Sequence, residues 1–432
     1  MSHLKPSAPP AVQWIARKLE EGGYETWAVG GAVRDALLGR PSGDWDLATR
    51  APPLDVRRLF RRTVPVGIEH GTVGVLARDG TMYEVTTFRK DVETDGRHAV
   101  VSFAESIEED LARRDFTVNA VAWHPLRHEL LDPFGGLADM EGRILRTVGV
   151  AEDRFREDYL RILRALRFAG LLDLAIEEAT WVAVCALVQH LGALSAERVR
   201  EELLKVLGAD PKPDQALDLY ASSGALRVLY PELEALRVTG SALPDVDRWT
   251  LSVATSAELP HGRPFLRLAS LLRELDGDDL AGLLLRLRLS NAQVEETAFR
   301  VRAAPLPLAG AEDGAFRRWL SATEPQRLAA LARLETARAR AVRRLGGPDR
   351  TAQVVASWRK ARRVRAGAPP LAVGDLALDG RGLISLGIRP GPDFGRILDG
   401  LLEWVLDDPT RNSREVLEQR ALQLLKSDAS DG

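Results

Sequence analysis

The amino-acid sequence is most informative at residues 29–46, VGGAVRDALLGRPSGDWD. The apolar residues just before them predict a short buried strand, the glycine pair predicts a turn, and residues 32–38 predict a helix. Asp44 and Asp46 follow that helix. In a strand, residues i and i+2 point to the same face, so both carboxylates can converge on one site. The segment therefore predicts a strand, a turn and a helix that lead to two acidic side chains.

Asp44 and Asp46 are candidate metal ligands. Paired carboxylates at the end of a sheet suit two Mg²⁺ ions, which prefer oxygen ligands and leave room for substrate phosphates. One ion would activate an attacking hydroxyl, and both would stabilise an in-line displacement at phosphorus. Glu84, in the predicted strand at residues 82–88, is the candidate for a third acidic group. An isolated Asp-x-Asp is more often a solvated turn, so the assignment depends on the residues before it.

The glycine turn has the features of a phosphate-binding element. Gly30 and Gly31 let backbone N–H groups approach a triphosphate, and the N-terminus of the next helix favours an anion. Arg34 would then contact the phosphates. A plain strand-to-helix turn explains the glycines, but it does not explain an arginine that looks buried or the pair of aspartates.

Composition limits the class of protein. The 432 residues are 45% hydrophobic and 28% charged, which is typical of a globular protein. No apolar run approaches the roughly 18 residues that a membrane span needs, and the N-terminus lacks the apolar core of a signal peptide. The single cysteine, Cys185, excludes a disulfide framework and a cysteine-built zinc site. We therefore expect a cytoplasmic protein with no membrane partner.

Net charge argues mildly against a nucleic-acid partner. The formal net charge is −3, whereas proteins that bind nucleic acids are usually basic. Binding to a polyanion would therefore depend on local arginine patches rather than on the field of the whole protein.

Hydrophobic periodicity changes along the chain. Residues 11–22 and 107–122 predict helices, whereas residues 64–68, 72–77, 82–88 and 130–132 predict strands. After about residue 153 the apolar spacing is helical almost to the end, with breaks at residues 210–213, 238–244, 303–310 and 366–370. The pattern predicts a mixed α/β region followed by a long helical one.

Three blocks, in a fixed order, resemble the signature of the class II tRNA nucleotidyltransferase and bacterial poly(A) polymerase family, which includes the CCA-adding enzymes. They are Gly30–Asp46, the segment EDLARRDFTVNA at residues 109–120, and the segment EDYLRILRALRF at residues 157–168. The sequence DPFGGLAD at residues 132–139 fits between them. A tail segment at residues 383–401 is also similar to the family.

The resemblance implies an α+β protein. A nucleotidyltransferase head of the polymerase-β type, with a mixed sheet, would occupy residues 1–148. An all-α neck that recognises the base would follow at residues 149–210, then a helical body at 211–366 and a helical tail at 367–432. The helical domains would hold the acceptor arm of tRNA. Nothing in the sequence indicates an oligomeric state.

The resemblance also implies the activity, which is template-independent addition of C and A to the 3′ end of tRNA. CTP and ATP would be the donors, two Mg²⁺ ions the cofactors and pyrophosphate the product. By position, Asp44 and Asp46 would bind metal. The residues that would contact the nucleotide or line its pocket are Gly31, Arg34, Arg114, Asp158, Arg161, Arg164 and Arg167.

Asp158 and Arg161 have the chemistry to select a base. On their pairing edges, C and A each present an amino donor beside a ring-nitrogen acceptor, whereas U and G present a carbonyl in place of the amino group. A carboxylate accepts and a guanidinium donates, so the pair matches C and A. Three residues apart on one predicted helix, they would share a face, although such pairs are usually solvated surface pairs. The upstream blocks favour base selection.

Two further charged clusters are candidates. Asp115 is expected to orient Arg114, which the resemblance assigns to the nucleotide phosphates. The region from residue 338 to 365 is rich in arginine, and a solvated basic helix face is as reasonable an explanation as tRNA binding. The candidates for contacts with tRNA are Arg359, Lys360, Arg362 and Arg363.

Several alternatives remain open. Relatives with the same head add only CC, only the final A, or poly(A). The loop at residues 89–98, which in this family helps the switch from C to A addition, looks somewhat short. A non-catalytic tRNA-binding protein is the alternative of another class, but clustered unpaired carboxylates give a pure binder no advantage. Arg273-Glu274 stands where many relatives have His-Asp, which predicts no phosphohydrolase activity.

Overall fold

The computed structural model describes residues 6–41, 43–94, 99–210, 212–389 and 391–428. Contacts divide the chain into two compact units. The first comprises residues 1–234 with 285–288, and the second comprises residues 235–284 with 289–432. Each unit has its own buried core.

The described strands all belong to the first unit. They are β1 (Thr26–Val29), β2 (Asp46–Thr49), β3 (Thr63–Gly67), β4 (Thr72–Leu76), β5 (Met82–Thr87), β6 (Arg89–Thr94), β7 (Ala99–Phe103), β8 (Ala122–Trp123), β9 (Leu130–Leu131), β10 (Ile144–Leu145) and β11 (Ala175–Ile176).

Seven of these strands form a mixed sheet in the order β3-β4-β5-β2-β1-β8-β9. Only β2 and β5 run parallel, with Leu47 opposite Val85, and the other neighbours are antiparallel. Val29 is opposite Asp46, so the end of β1 and the start of β2 lie at the same edge. This mixed sheet, with helices after it, confirms the predicted α+β class.

The helices up to residue 235 are α1 (Pro10–Glu21), α2 (Gly31–Leu37), α3 (Pro53–Leu59), α4 (Ile107–Ala112), α5 (Gly136–Gly142), α6 (Ala151–Glu157), α7 (Leu160–Leu172), α8 (Glu178–Leu187), α9 (Ala196–Gly208), α10 (Asp214–Ser222), α11 (Ala225–Leu229) and α12 (Pro231–Ala235). The core against the sheet joins apolar residues of β1, β2 and α4, including Trp27, Ala48 and Leu111. Burial of these apolar residues stabilises the first unit.

The helices beyond residue 235 are α13 (Arg248–Ala257), α14 (Pro264–Leu272), α15 (Gly277–Arg286), α16 (Asn291–Arg302), α17 (Asp313–Ser321), α18 (Leu328–Arg344), α19 (Thr351–Ala366), α20 (Gly380–Ser385), α21 (Pro392–Asp407) and α22 (Arg414–Asp428). One core in this part is built around Phe316 and Leu334, and another around Leu383 and Leu401. The predicted breaks coincide with connections between helices. No helix in the described ranges combines the length and the apolarity that a membrane crossing requires.

The predicted helix at residues 107–122 was wrong in its second half. Helix α4 ends at Ala112, a 3-10 turn covers Thr117–Asn119, and β8 begins at Ala122. The backbone leaves the helix because Asp115 accepts a hydrogen bond from its neighbour's N–H at 2.9 Å and the Thr117 N–H donates to the carbonyl of Arg146 at 3.0 Å. Such local and tertiary hydrogen bonds compete with helical ones.

Two smaller expectations also need correction. The segment that begins at residue 89 is an antiparallel hairpin of β6 and β7 rather than an irregular loop, and its tip, residues 95–98, lies outside the described residues. The region beyond residue 153 is not wholly helical, because β11 pairs in parallel with β10. A two-residue strand leaves no period that a sequence window detects.

Candidate active site

One cavity of about 570 Å³ in the first unit collects most of the predicted residues. It lies where the start of β2, the turn before α2, the end of α4 and the start of α7 meet. The predicted residues among its lining are Gly30, Gly31, Arg34, Asp46, Glu84, Arg114, Asp158, Arg161 and Arg164. Asp44 and Arg167 are not among the lining residues.

Asp46 and Glu84 form the acidic edge of the cavity. The parallel pairing of β2 with β5 places the two carboxylates on neighbouring strands, one residue before the paired Leu47 and Val85. Burial, with the charges of Glu84 and more weakly Asp44, raises the pKa of Asp46 to about 6 although Arg114 opposes the shift. Like charges close together resist joint ionisation, so this edge favours a cation.

Asp44 does not lie in the strand that the sequence predicted. Strand β2 begins at Asp46, and Asp44 is an exposed residue before it, so the i, i+2 argument does not apply. Across the described residues, no three carboxylate, histidine or cysteine side chains are arranged as a ready metal cage. The available donors at the edge are carboxylate oxygens, the type that Mg²⁺ prefers.

The turn at Gly30 brings an arginine to this acidic edge. Gly30 has φ +75°, a conformation that residues with a Cβ rarely adopt. A Cβ at Gly30 would lie 3.2 Å from Nη1 of Arg114 and 3.9 Å from Oδ2 of Asp46. Glycine therefore allows the backbone, the guanidinium and the carboxylate to approach one another.

Arg114 is held by Asp110, not by Asp115 as the sequence suggested. Nη2 of Arg114 donates to Oδ2 of Asp110 at 3.0 Å, and Asp110 also accepts from Arg113 and from the backbone N–H of Arg89. Burial alone would raise the pKa of Asp110, but the charges of Arg114 and Arg113 outweigh it and lower the pKa. This buried carboxylate fixes Arg114 at the cavity wall.

Asp115 instead orients Arg164. Its Oδ2 accepts from Nε of Arg164 at 2.7 Å, and its Oδ1 accepts from Nδ2 of Asn119 at 3.0 Å. Burial would raise the pKa of Asp115, but the charge of Arg164 and the hydrogen bonds from Asn119 and Arg164 lower it to about 2. The prediction about Arg114 failed because Asp115 lies beyond the end of α4, where its side chain meets Arg164 of α7.

Arg34 is buried, as its apolar setting suggested. Nε and Nη2 donate to Asp35, Nη1 donates to Oδ1 of Asn119 at 2.6 Å, and the guanidinium lies 4.9 Å from the ring centroid of Phe168. Burial lowers the pKa of Arg34, although Asp35 opposes the shift. Much of the guanidinium is therefore engaged by the protein itself.

Asp158 and Arg161 line the same cavity but do not share a helix. Helix α6 ends at Glu157 and α7 begins at Leu160, so Asp158 lies in an extended junction with φ −155° and ψ 106°. Arg161 donates to Glu157 at 2.5 Å and to the backbone carbonyl of Arg113 at 3.1 Å. The argument from helical spacing was wrong, because the helix breaks between the two residues.

Arg167 does not line the cavity and is engaged by other residues of the first unit. Its Nε donates to Oε2 of Glu202 at 2.7 Å, and its guanidinium lies 4.2 Å from the ring centroid of Phe168. Glu202 is almost fully buried on α9 and also accepts from Lys205 at 2.9 Å. Arg167 therefore joins α7 to α9.

In the second unit, the predicted basic residues lie on α19 but differ in exposure. Arg359, Arg362 and Arg363 are exposed. Lys360 is not free for a ligand, because its ammonium contacts the carbonyl of Ala311, lies 3.1 Å from Asp313 and lies over a phenylalanine ring. The basic surface therefore excludes Lys360.

The Arg273-Glu274 pair is part of an ion-pair network in the second unit. Arg273 contacts Glu335, and Glu274 accepts from Nη1 of Arg338 at 2.5 Å. Glu335 and Arg338 both belong to α18, so Arg273 and Glu274 each form an ion pair with a residue of that helix. The expectation of no phosphohydrolase activity stays a prediction.

Sequence reasoning missed several residues that support the cavity. The contact of Asp110 with Arg114 could have been predicted, because Asp110 lies four residues before Arg114 on a predicted helix. Asn119 lies in the segment at residues 109–120 that resembles the family, but the sequence assigned it no role. Arg198 and Glu202 had no local signal, since their partners lie 40 and 35 residues away.

Family models match two regions of the chain. The model described as "Poly A polymerase head domain" matches residues 26–146, and the model described as "Probable RNA and SrmB- binding site of polymerase A" matches residues 173–236. The first match contains the sheet edge with Asp46 and Glu84. The second contains α9 with Arg198.

Similar proteins match nearly the whole chain. The CCA-adding enzyme of Lactobacillus delbrueckii subsp. bulgaricus is 35% identical over 94% of this chain and 95% of its own. That of Geobacillus kaustophilus is 37% identical over 93% of both. The crystal structure of the Bacillus stearothermophilus CCA-adding enzyme in complex with CTP has a TM-score of 0.76 and 33% identity, and the match covers 98% of this chain and 100% of that chain.

Proposed function

The chain belongs to the family of CCA-adding enzymes, and from that premise we propose how its cavity adds nucleotides to tRNA. The protein is a tRNA nucleotidyltransferase that adds C and A to the 3′ end of tRNA, with CTP and ATP as donors. The transfer joins the 3′-hydroxyl of the tRNA to the α-phosphorus of the nucleotide and releases pyrophosphate. The single observation that carries the proposal is the cavity that Asp46, Glu84 and Arg114 share with Asp158 and Arg161.

We propose that the acidic edge holds two Mg²⁺ ions. Asp46 and Glu84 would supply oxygen ligands, and Asp44, whose charge acts weakly on Asp46, would supply a further carboxylate from the preceding segment. The pKa of Asp46, raised by burial and then by the charge of Glu84, supports this assignment, because a divalent cation would offset both the loss of hydration and the repulsion between the carboxylates. When bound, the ions lower the pKa of the attacking hydroxyl and neutralise charge on the phosphates.

The cationic wall of the cavity suits the triphosphate. Arg114 lies beside the Gly30 turn and Asp46, where it can neutralise negative charge on the phosphates. Arg34 lines the same cavity and donates to Asn119, whose backbone carbonyl accepts from Nη1 of Arg114 at 3.4 Å. Charge-assisted hydrogen bonds from guanidinium groups to phosphate are strong and directional.

Selection of C and A rests on Asp158 and Arg161. The carboxylate accepts from the amino group of the base, and the guanidinium donates to the adjacent ring nitrogen. U and G place a carbonyl oxygen against the carboxylate and are rejected. Because both side chains line the cavity, the protein itself supplies the recognition and no nucleic-acid template is needed.

A direct test uses tRNA transcripts that end before the CCA sequence, within it and just short of the final A. Each is incubated with CTP, with ATP and with both. Full CCA addition gives three added residues on the shortest tRNA with both nucleotides. Extension that stops after two C residues would identify a CC-adding enzyme, and addition of A alone would identify an A-adding enzyme. Long poly(A) products would identify a poly(A) polymerase.

The variant Asp46→Ala separates an enzyme from a tRNA-binding protein. We expect nucleotide incorporation to be lost while binding to tRNA is retained. Absence of incorporation by the unmodified protein would support the binding protein instead.

Two further points belong to the proposal. The protein acts in the cytoplasm, and the exposed arginines Arg359, Arg362 and Arg363 contact tRNA.

A further inference from the structure

The protein holds the Asp158 carboxylate at both oxygens. Oδ1 accepts from the backbone N–H of Leu160 at 3.0 Å, and Oδ2 accepts from Nη2 of Arg198 at 2.7 Å. Arg198 lines the same cavity. We propose that Arg198 is a specificity-determining positioning residue, which aims Asp158 at the nucleotide base.

The local structure around Arg198 fixes its position. Helix α9 begins after Ser195, whose side chain accepts from the backbone N–H of Arg198 at 3.4 Å. A capped first turn has a defined backbone, so the guanidinium projects from a fixed origin. Arg198 and Asp158 are 40 residues apart, and the ion pair therefore ties α9 to the junction before α7.

The Asp158 side chain needs such a partner because it lies outside regular secondary structure. Its neighbour Tyr159 stacks on His190, with ring centroids 4.7 Å apart and an interplanar angle of 9°, which supports the backbone of the junction. Backbone support does not fix the rotation of a carboxylate about its own side-chain bonds. The hydrogen bonds from Arg198 and Leu160 fix that rotation.

The two bonds leave acceptor capacity for a base. A carboxylate has about four lone-pair sites, and Arg198 and Leu160 use two of them. Because Asp158 lines the cavity, its remaining sites are available to a nucleotide base that binds there. Arg161 is anchored separately, by Glu157 and the carbonyl of Arg113. The acceptor and the donor that contact the base are thus held by different elements.

Loss of Arg198 should therefore change selectivity. A carboxylate that is free to turn loses its aligned bond to the amino group of CTP, and it also turns away from the carbonyl of UTP and relieves the clash. A hydrogen bond to a charged group contributes a factor of about tenfold to hundredfold in affinity. We expect kcat/KM for CTP to fall by that factor, mainly through KM, while kcat/KM for UTP stays the same or rises.

The experiment compares Arg198→Met, Arg198→Lys and the full-length wild-type chain on a tRNA that lacks CCA. Steady-state kcat/KM is measured for CTP and for UTP, and Tm is measured for each variant. Lysine keeps the charge but lacks the planar fork, so its CTP-to-UTP ratio should lie between the other two. Arg200→Met is the matched control, because Arg200 lies on α9 and donates to the backbone carbonyls of Leu287 and Arg288 instead.

The inference rests on the proposed function, and the two fail differently. A wild-type chain that adds no nucleotide contradicts the proposed function and this inference with it. A wild-type chain that prefers CTP, together with Arg198 variants that keep the same CTP-to-UTP ratio, overturns this inference alone. Equal losses for CTP and UTP have the same meaning, since they indicate a structural role. If Arg198→Met has a low Tm, the ratio in Arg198→Lys decides.

Discussion

Nη1 of Arg34 donates a hydrogen bond to Oδ1 of Asn119 at 2.6 Å, although 85 residues separate the two. The same amide donates from Nδ2 to Asp115. An amide both accepts and donates, so one neutral side chain joins a buried guanidinium to a buried carboxylate. Asn119 thus connects the segment after β1 to the segment after α4, at the wall of the cavity.

Replacing Asn119 by leucine should destabilise the first unit. The variant Asn119→Leu removes both bonds and leaves polar atoms of Arg34 and Asp115 without them, at a cost of about 1–3 kcal/mol for each group. We expect a lower free energy of unfolding in urea and a higher KM for both nucleotides. The exposed Asn291 provides a control, and Asn291→Leu should have little effect. Equal stability of the two variants would contradict the bridging role.

The acidic edge makes a prediction about metal binding that does not depend on activity. In EDTA, Asp46→Asn should be at least as stable as the wild-type chain, because it removes a carboxylate whose pKa burial and Glu84 raise to about 6. Saturating Mg²⁺ should raise the Tm of the wild type more than that of the variant, since bound ligand stabilises by mass action. A variant that gains as much as the wild type would place the metal elsewhere.

Acid stability should depend on Asp115. Its pKa of about 2 in the folded chain lies below the ordinary value of 3.8, so the ionised group contributes stability above pH 3.8. That contribution, on the order of 2 kcal/mol, is lost as the pH falls from 3.8 through 2. The difference in unfolding free energy between wild type and Asp115→Asn should therefore shrink from pH 6 to pH 2.5. A difference that is constant across this range would refute the assignment.

The exposed arginines of α19 make a prediction about salt. Arg362→Glu and Arg363→Glu should each weaken tRNA binding. Each should also make the plot of log K against log salt less steep, with the magnitude of its slope reduced by about 0.9 for each phosphate that the variant no longer neutralises. Arg302→Glu makes the same charge change at another exposed position of the second unit. Filter-binding titrations from low to high salt measure the slopes. Unchanged slopes at residues 362 and 363 would identify the surface as a solvated helix face.

Local patterns in the sequence predicted several of the strands, the glycine turn and five of the residues that line the cavity, which are Gly30, Gly31, Arg34, Asp46 and Glu84. Gly30 with φ +75°, Asp46 and Glu84 could be predicted because each depends on a short pattern of turn residues and alternating apolar positions. The resemblance of three ordered blocks to a known family supplied Asp158, Arg161 and Arg164. No spacing rule would have brought these residues to the sheet edge.

Only the tertiary structure decided which charged side chains form ion pairs with one another. Asp110 rather than Asp115 binds Arg114, Glu202 binds Arg167, and Arg198 binds Asp158. Buried ion pairs form between whichever groups the packing of helices and strands brings together, because an unpaired buried charge is costly. The sequence by itself specifies the groups, and the packed fold selects their partners.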